Sequence, residues 1–144
     1  MTVIAFDGKT VAADRRAVHA GVCRTTTKIT RHKNMIIGCA GDVDIAQSLF
    51  YCAKQGFKPA TFPDKRGGEL FASTIVIQDD GTIWLIERTP HPIEFHDPFF
   101  AIGSGRDFAM AAMALGKSAK EAVELACQFD VGCGNGVDVL ELQP

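Results

Sequence analysis

The sequence predicts an α+β fold of four layers, αββα, with two antiparallel sheets inside and helices outside. Three observations predict it. Strand-like runs come in neighbouring pairs joined by tight-turn residues. Helical patterns come singly or in twos rather than alternating with strands, which argues against a doubly wound parallel sheet. The helical runs also carry their own cap residues.

Thr2 to Phe6 is short, apolar and rich in strand formers, Asp7-Gly8 is a turn signal, and Thr10 to Asp14 resumes the strand. A second pair is expected at Thr25–Thr30 and Met35–Cys39, around the polar turn His32-Lys33-Asn34. After Gly41, Asp42 reads as a helix N-cap, because Ile45, Ala46, Leu49, Phe50 and Ala53 repeat at helical spacing up to Gly56. Residues 57–69 hold two prolines, two glycines and mixed charge and are expected to be loop. Phe71–Ile77 and Thr82–Glu87 form the clearest hairpin, turned by Asp79-Asp80-Gly81. Pro90, Pro92 and Pro98 break the next stretch into extended pieces that end in Phe99–Ile102.

Two helices follow. One is expected to start at Ser104, with Asp107 three residues on, and to stop at Gly116. Its Met110 and Met113 could serve an interface, but core packing is preferred. The other has Ser118 and Glu121 at capping-box spacing and an apolar stripe of Ala119, Ala122, Val123, Ala126 and Cys127. Glycine-rich residues 132–136 lead to a last strand, Val137–Leu142.

A chain of 144 residues points to one domain, residues 1–144. Fifteen lysines and arginines against 17 acidic residues argue against a nucleic-acid or anionic-membrane partner. No stretch without Asp, Glu, Lys or Arg exceeds nine residues, where a membrane-spanning helix needs ~20 apolar ones. Residues 1–7 carry no basic signal-peptide region, so a cytoplasmic protein is expected. The five cysteines are odd in number and include no C-x-x-C pair; Cys39, Cys52 and Cys127 fit a core. His91 and His96 near Asp97 read as solvated loop histidines rather than metal ligands, and no cofactor is expected.

Familiar signatures fail. Gly103-Ser104-Gly105 lacks the G-x-S-x-G spacing of a nucleophile elbow. No G-K-[ST] follows the glycines at 132–136, so they make no phosphate loop. Asp14 and Lys28, on neighbouring strands, could be a buried ion pair, although surface charges are the favoured reading on spacing alone. Thr2 is a small residue behind Met1. Removing Met1 would expose a hydroxyl nucleophile together with an α-amine, whose ordinary pKa of about 7.7–8.0 suits a general base.

Six motifs change the weighing: Thr-Val-Ile-Ala-Phe (2–6), Val-Ala-Ala-Asp-Arg-Arg-Ala (11–17), Thr-Lys-Ile (27–29), Gly-Cys-Ala-Gly (38–41), Ile-Gly-Ser-Gly (102–105) and Asp-Val-Gly-Cys-Gly (130–134). In this order they resemble the proteasome β-subunits and their bacterial peptidase relative, which are N-terminal-nucleophile (Ntn) hydrolases. The resemblance runs from Thr2 to about Val139. It implies a peptidase in which Thr2 attacks a carbonyl and its own amine takes the proton. Lys28 would favour the alkoxide, Asp14 would orient Lys28, and the Gly41 N–H would donate to the oxyanion. Ser104 and Asp130 would hold the amine and hydroxyl in place. The resemblance also implies peptide or protein substrates and a homo-oligomeric ring; no unfoldase partner can be read from the sequence.

The chain departs from the family pattern in several places. Cys133 stands where a serine is usual, Asp42 replaces the second glycine of a pair, and Arg15 takes a small residue's place. The loop at 57–69 replaces a second long helix, so one helical layer is expected to be reduced. With Met1 attached, Thr2 has no free amine. Two other functions stay open: an inactive Ntn-fold binding or assembly protein, and an amidase for small molecules. The substrate pocket is expected near residues 17–24 and 38–43, with Ala17, Ala20 and Val22 making it modest and apolar.

Overall fold

The computed structural model describes residues 1–63 and 72–144. A four-stranded antiparallel sheet has the order β10-β1-β2-β11, from Phe100–Ile102, Ile4–Phe6, Thr10–Asp14 and Val137–Glu141. A five-stranded sheet runs in order from β5 to β9: Ile29–His32, Met35–Gly41, Ala72–Gln78, Ile83–Ile86 and Ile93–Phe95. Helix α1 (Val43–Lys54) covers the outer face of the five-stranded sheet, and α2 (Arg106–Ala114) with α3 (Ala119–Phe129) covers the four-stranded one. The result is the expected αββα sandwich.

The central strands β1, β2, β6 and β7 are buried on both faces, so they read as continuous apolar runs rather than alternating ones. Ile4 and Phe6 of β1 point between the sheets, against Ile36, Ile75 and Ile77. Val3 and Ala5 point the other way, under Ala109, Ala122 and Ala126. On the far side, Ile37 and Cys39 of β6 meet Ala46, Leu49 and Ala53 of α1. The sheets pack closely at Gly38, where a Cβ would come within 3.0 Å of Ile4 on the facing sheet and 3.2 Å of Ile75 on its own. Burying each of these large side chains stabilises the fold by roughly 1.5–3 kcal/mol.

The helix caps match their sequence signals. Asp42 accepts from the amides of Asp44 and Ile45, and Ser118 with Glu121 makes the reciprocal capping box. Met113 is buried and Met110 packs against the helical core, as expected. Among the described residues, the α1 layer holds one α-helix and a 3-10 turn at Pro59–Thr61. The remainder of the expected loop, residues 64–69, and Phe71 lie outside the described residues. No described helix is long and apolar enough to cross a membrane.

Three expectations need correction. The strand expected at Thr25–Thr30 does not run through: β4 ends at Thr25, and β5 begins at Ile29. An unexpected hairpin, β3 (Arg16–His19) and β4 (Val22–Thr25), forms a separate two-stranded sheet. Finally, α2 starts at Arg106 with Gly105 as its N-cap, not at Ser104. The Ser104 hydroxyl is engaged elsewhere.

Candidate active site

Thr2 sits just before β1 and is 4% exposed. The turn between β10 and α2 wraps its backbone. The Thr2 N–H donates to Ser104 Oγ at 3.1 Å, and its carbonyl accepts from the Gly105 N–H at 3.1 Å. Gly103, at φ +97°, lies flat against the Thr2 carbonyl; a Cβ there would overlap its oxygen and stand 2.7 Å from its carbon. Only glycine combines that backbone angle with that approach.

Asp14 ends β2 and is fully buried. Its Oδ1 accepts from the Val3 N–H at 3.0 Å and from Lys28 Nζ at 2.9 Å. Its Oδ2 accepts from the Gly134 N–H at 3.0 Å and the Arg16 N–H at 3.2 Å. Lys28, in the connection between β4 and β5, is also buried. Its Nζ donates to Asp14, to Thr2 Oγ1 at 3.1 Å and to the Met1 carbonyl at 3.2 Å. An ammonium has three N–H donors, and all three are engaged. This overturns the surface pair that spacing alone favoured. A buried ion pair survives desolvation only when its remaining polar atoms are satisfied, and here three amides complete the carboxylate.

A second cluster holds the other side of Thr2. Ser104 Oγ donates to Asp130 Oδ2 at 2.6 Å, and the Gly132 N–H donates to Asp130 Oδ1 at 2.9 Å. The Ser104 bond, aided by Gly132, holds the Asp130 carboxyl below the usual carboxylate range. Cys133 Sγ lies 3.9 Å from Ser104 Oγ. Burial, with the negative charges of Asp14 and Asp130 nearby, pushes its thiol up to about 12. Cys133 is therefore a neutral thiol at any working pH.

Thr2 and Lys28 open onto a cleft of about 430 Å³. Gly41, at the end of β6, lines it together with Asp42 and the side of the β3 hairpin strand. Ala17 belongs to this lining; Ala20 and Val22 do not. Ala20 occupies the hairpin turn at φ 51°, and Val22 is 50% exposed beyond it. The expected pocket residues therefore divide, because the cleft is lined by β3 up to His19 and not by the turn or β4. Cys39, within the expected 38–43 stretch, also lines the cleft, and burial pushes its thiol up to about 12.

Two of the departures from the family pattern have local explanations. Asp42 caps α1, and Arg15 pairs with Asp138 at 3.3 Å. Among the described residues, no three His, Cys, Asp or Glu side chains gather as metal ligands.

No protein-family model and no curated protein matches the sequence. Solved structures do. HslV from Trypanosoma brucei is similar with a TM-score of 0.75 and 25% identity, over 99% of both chains. The BPH of Thiobacillus denitrificans gives a TM-score of 0.72 at 20% identity in its complex with epoxomicin and 0.69 at 20% without that description, over 100% of both chains. These neighbours are Ntn hydrolases of the proteasome β-subunit type. This chain has their fold. Among the motif residues, Lys28 and Ser104 bond Thr2 directly, and Asp14 and Asp130 bond those two.

Proposed function

We propose that this protein is a proteasome-like N-terminal threonine peptidase that cleaves peptide bonds once Met1 has left. One observation carries the reading: Lys28 Nζ bridges Thr2 Oγ1 and the buried Asp14 carboxylate, at 3.1 and 2.9 Å. An ammonium anchored in that way lowers the cost of an alkoxide at Thr2. With Met1 gone, the Thr2 nitrogen becomes an amine beside Ser104, able to take the hydroxyl proton as Oγ1 attacks a substrate carbonyl. The tetrahedral oxyanion would form beside Gly41, whose N–H serves as donor, and collapse would expel the amine of the leaving peptide. Asp130 keeps Ser104 oriented toward the Thr2 nitrogen. Water then attacks the acyl-enzyme and restores Thr2.

This reading takes residues 1–144 as one domain and peptides or proteins as substrates. It includes a homo-oligomer, for which the exposed Phe108, Leu115 and Phe129 on the α2–α3 side are candidate contacts. A second reading, an inactive Ntn-fold binding protein, draws on Met1 itself. The Met1 carbonyl accepts from Lys28, and its side chain lies against Gly132.

The neighbouring BPH is described in complex with epoxomicin, which suggests the probe. The purified protein is incubated with epoxomicin and its intact mass and N-terminal sequence are read. Loss of Met1 with an adduct on Thr2 is the expected result. A retained Met1, or a free Thr2 that takes no adduct, favours the binding protein. Adduct formation without cleavage of any peptide, but with turnover of small amides, would point to the small-molecule amidase.

A further inference from the structure

The geometry points to Asn135 as a positioning residue that fixes the β3–β4 hairpin, one wall of the cleft, against the loop that serves Asp14 and Thr2. The hairpin is a two-stranded sheet hydrogen-bonded by strand pairing to neither of the larger ones. Its tethers to the loop are therefore individual bonds. Asn135 sits in that loop at φ 65°, between Gly134 and Gly136, with its side chain directed at the hairpin. Its Oδ1 accepts from Arg16 Nε at 3.1 Å and from Cys23 Sγ at 3.6 Å. Its Nδ2 donates to the Arg24 carbonyl at 3.0 Å and to Thr25 Oγ1 at 3.0 Å. The partners fix which way the amide points, because Arg16 Nε only donates and the Arg24 carbonyl only accepts. One side chain thus grips both strands of the hairpin.

The same loop reaches the catalytic cluster within a few residues. The Gly134 N–H holds Asp14 Oδ2, and the Gly134 carbonyl accepts from the Arg15 N–H at 2.9 Å. Arg16 completes the clasp by donating from Nη1 to the Val131 carbonyl at 2.8 Å, and its guanidinium lies over Gly134. Arg16 and Ala17 then line the cleft itself. Releasing Asn135 frees the wall that a substrate lies against, while the bonds of Lys28 to Thr2 and Asp14, and of Val3 to Asp14, involve neither the hairpin nor its loop. Substrate binding therefore suffers more than the chemical step. Two-stranded hairpins have little stability alone, so side-chain tethers weigh heavily, and the Asn135 amide is the one that holds both strands of this one.

The kinetic consequence rests on the peptidase reading; the structural one does not. The test is Asn135→Gly in the full chain, since glycine adopts the left-handed backbone and removes the side chain, with some added freedom in the loop that the β1 and β2 amides report. In hydrogen exchange, β3 and β4 amides should exchange at least about tenfold faster, with β1 and β2 within about twofold of wild type. In protein freed of Met1, KM for a peptide should rise about tenfold while kcat falls less than about threefold. Unchanged exchange in the hairpin, or equal acceleration in β1 and β2, overturns the positioning role. A loosened hairpin with unchanged KM overturns its link to the cleft. Should the wild-type protein cleave nothing, the peptidase reading fails by itself and the exchange pattern alone decides the role of Asn135.

Discussion

Lys28 Nζ stands 2.9 Å from Asp14 Oδ1 with both side chains buried, the carboxylate completely, so the pair depends on its own bonds. Removing one partner leaves the other uncompensated. Lys28→Met should cost about 3–5 kcal/mol in denaturant unfolding, and Asp14→Asn a similar amount. The double variant should lose clearly less than the sum of the two, with a coupling above about 1 kcal/mol. Additive losses would show that the pair acts as two independent groups. Thr2→Ala leaves one buried Lys28 N–H without its partner and should cost about 1–3 kcal/mol, while the proposed peptidase should lose its cleavage altogether.

Gly103 and Gly21 both have positive φ, +97° and +76°, but only Gly103 faces a neighbour. Gly21→Ala should cost about 1 kcal/mol, the conformational penalty alone. Gly103→Ala adds an overlap with the Thr2 carbonyl and should cost roughly 2–4 kcal/mol. The proposed peptidase would also lose its epoxomicin adduct at temperatures where the variant remains folded. Equal costs for the two variants would mean that the turn yields easily around Thr2.

Cys133 offers Ser104 only a thiol at 3.9 Å. A hydroxyl is the stronger partner, so Cys133→Ser should raise turnover of the proposed peptidase about fivefold, the rate equivalent of a ~1 kcal/mol hydrogen bond. A fall in turnover would show that the site is packed for sulfur. The raised thiols of Cys133 and Cys39 also predict slow alkylation at pH 8. Exposed Cys23 should take the first label, read by peptide mass spectrometry.

Asp130 sets an acid limit. Its folded pKa is depressed, first by Ser104, so the ionised carboxylate stabilises the fold. That stabilisation is fully present above the ordinary aspartate pKa of about 4 and is lost as pH falls through the depressed folded value. Unfolding free energies of wild type and Asp130→Asn should therefore differ by a constant amount from about pH 5 to 7 and converge below about pH 4. A difference that does not change with pH would mean that Asp130 acts through shape rather than charge.

Strands buried on both faces announced themselves as apolar runs, and side-chain caps announced α1 and α3. What escaped was held by tertiary bonds instead. The β3–β4 hairpin has an exposed outer strand, no apolar alternation and an alanine at φ 51° in its turn, so its residues carry no local strand signal. Strand β9 is three residues behind two prolines, with its first two exposed. Ser104 looked like a cap because its spacing to Asp107 fits one, but its hydroxyl faces Asp130 and Thr2. In the site, the Asp14–Lys28 pair was visible as two charges, while its burial was not. Asn135 was passed over, although an asparagine between two glycines marks a left-handed turn.

The bonds that frame Thr2 join residues far apart along the chain: Thr2 to Ser104 across 102 positions and Asp14 to Gly134 across 120. Contacts of such separation form late, after their loops have closed. During synthesis, the ribosome must release residue 134 before the last amide can reach Asp14. A truncated or half-made chain thus has the Thr2–Lys28–Asp14 bonds but lacks the Ser104 and Gly134 groups that hold them from the other side. Completion of the polypeptide becomes the condition for the site to exist.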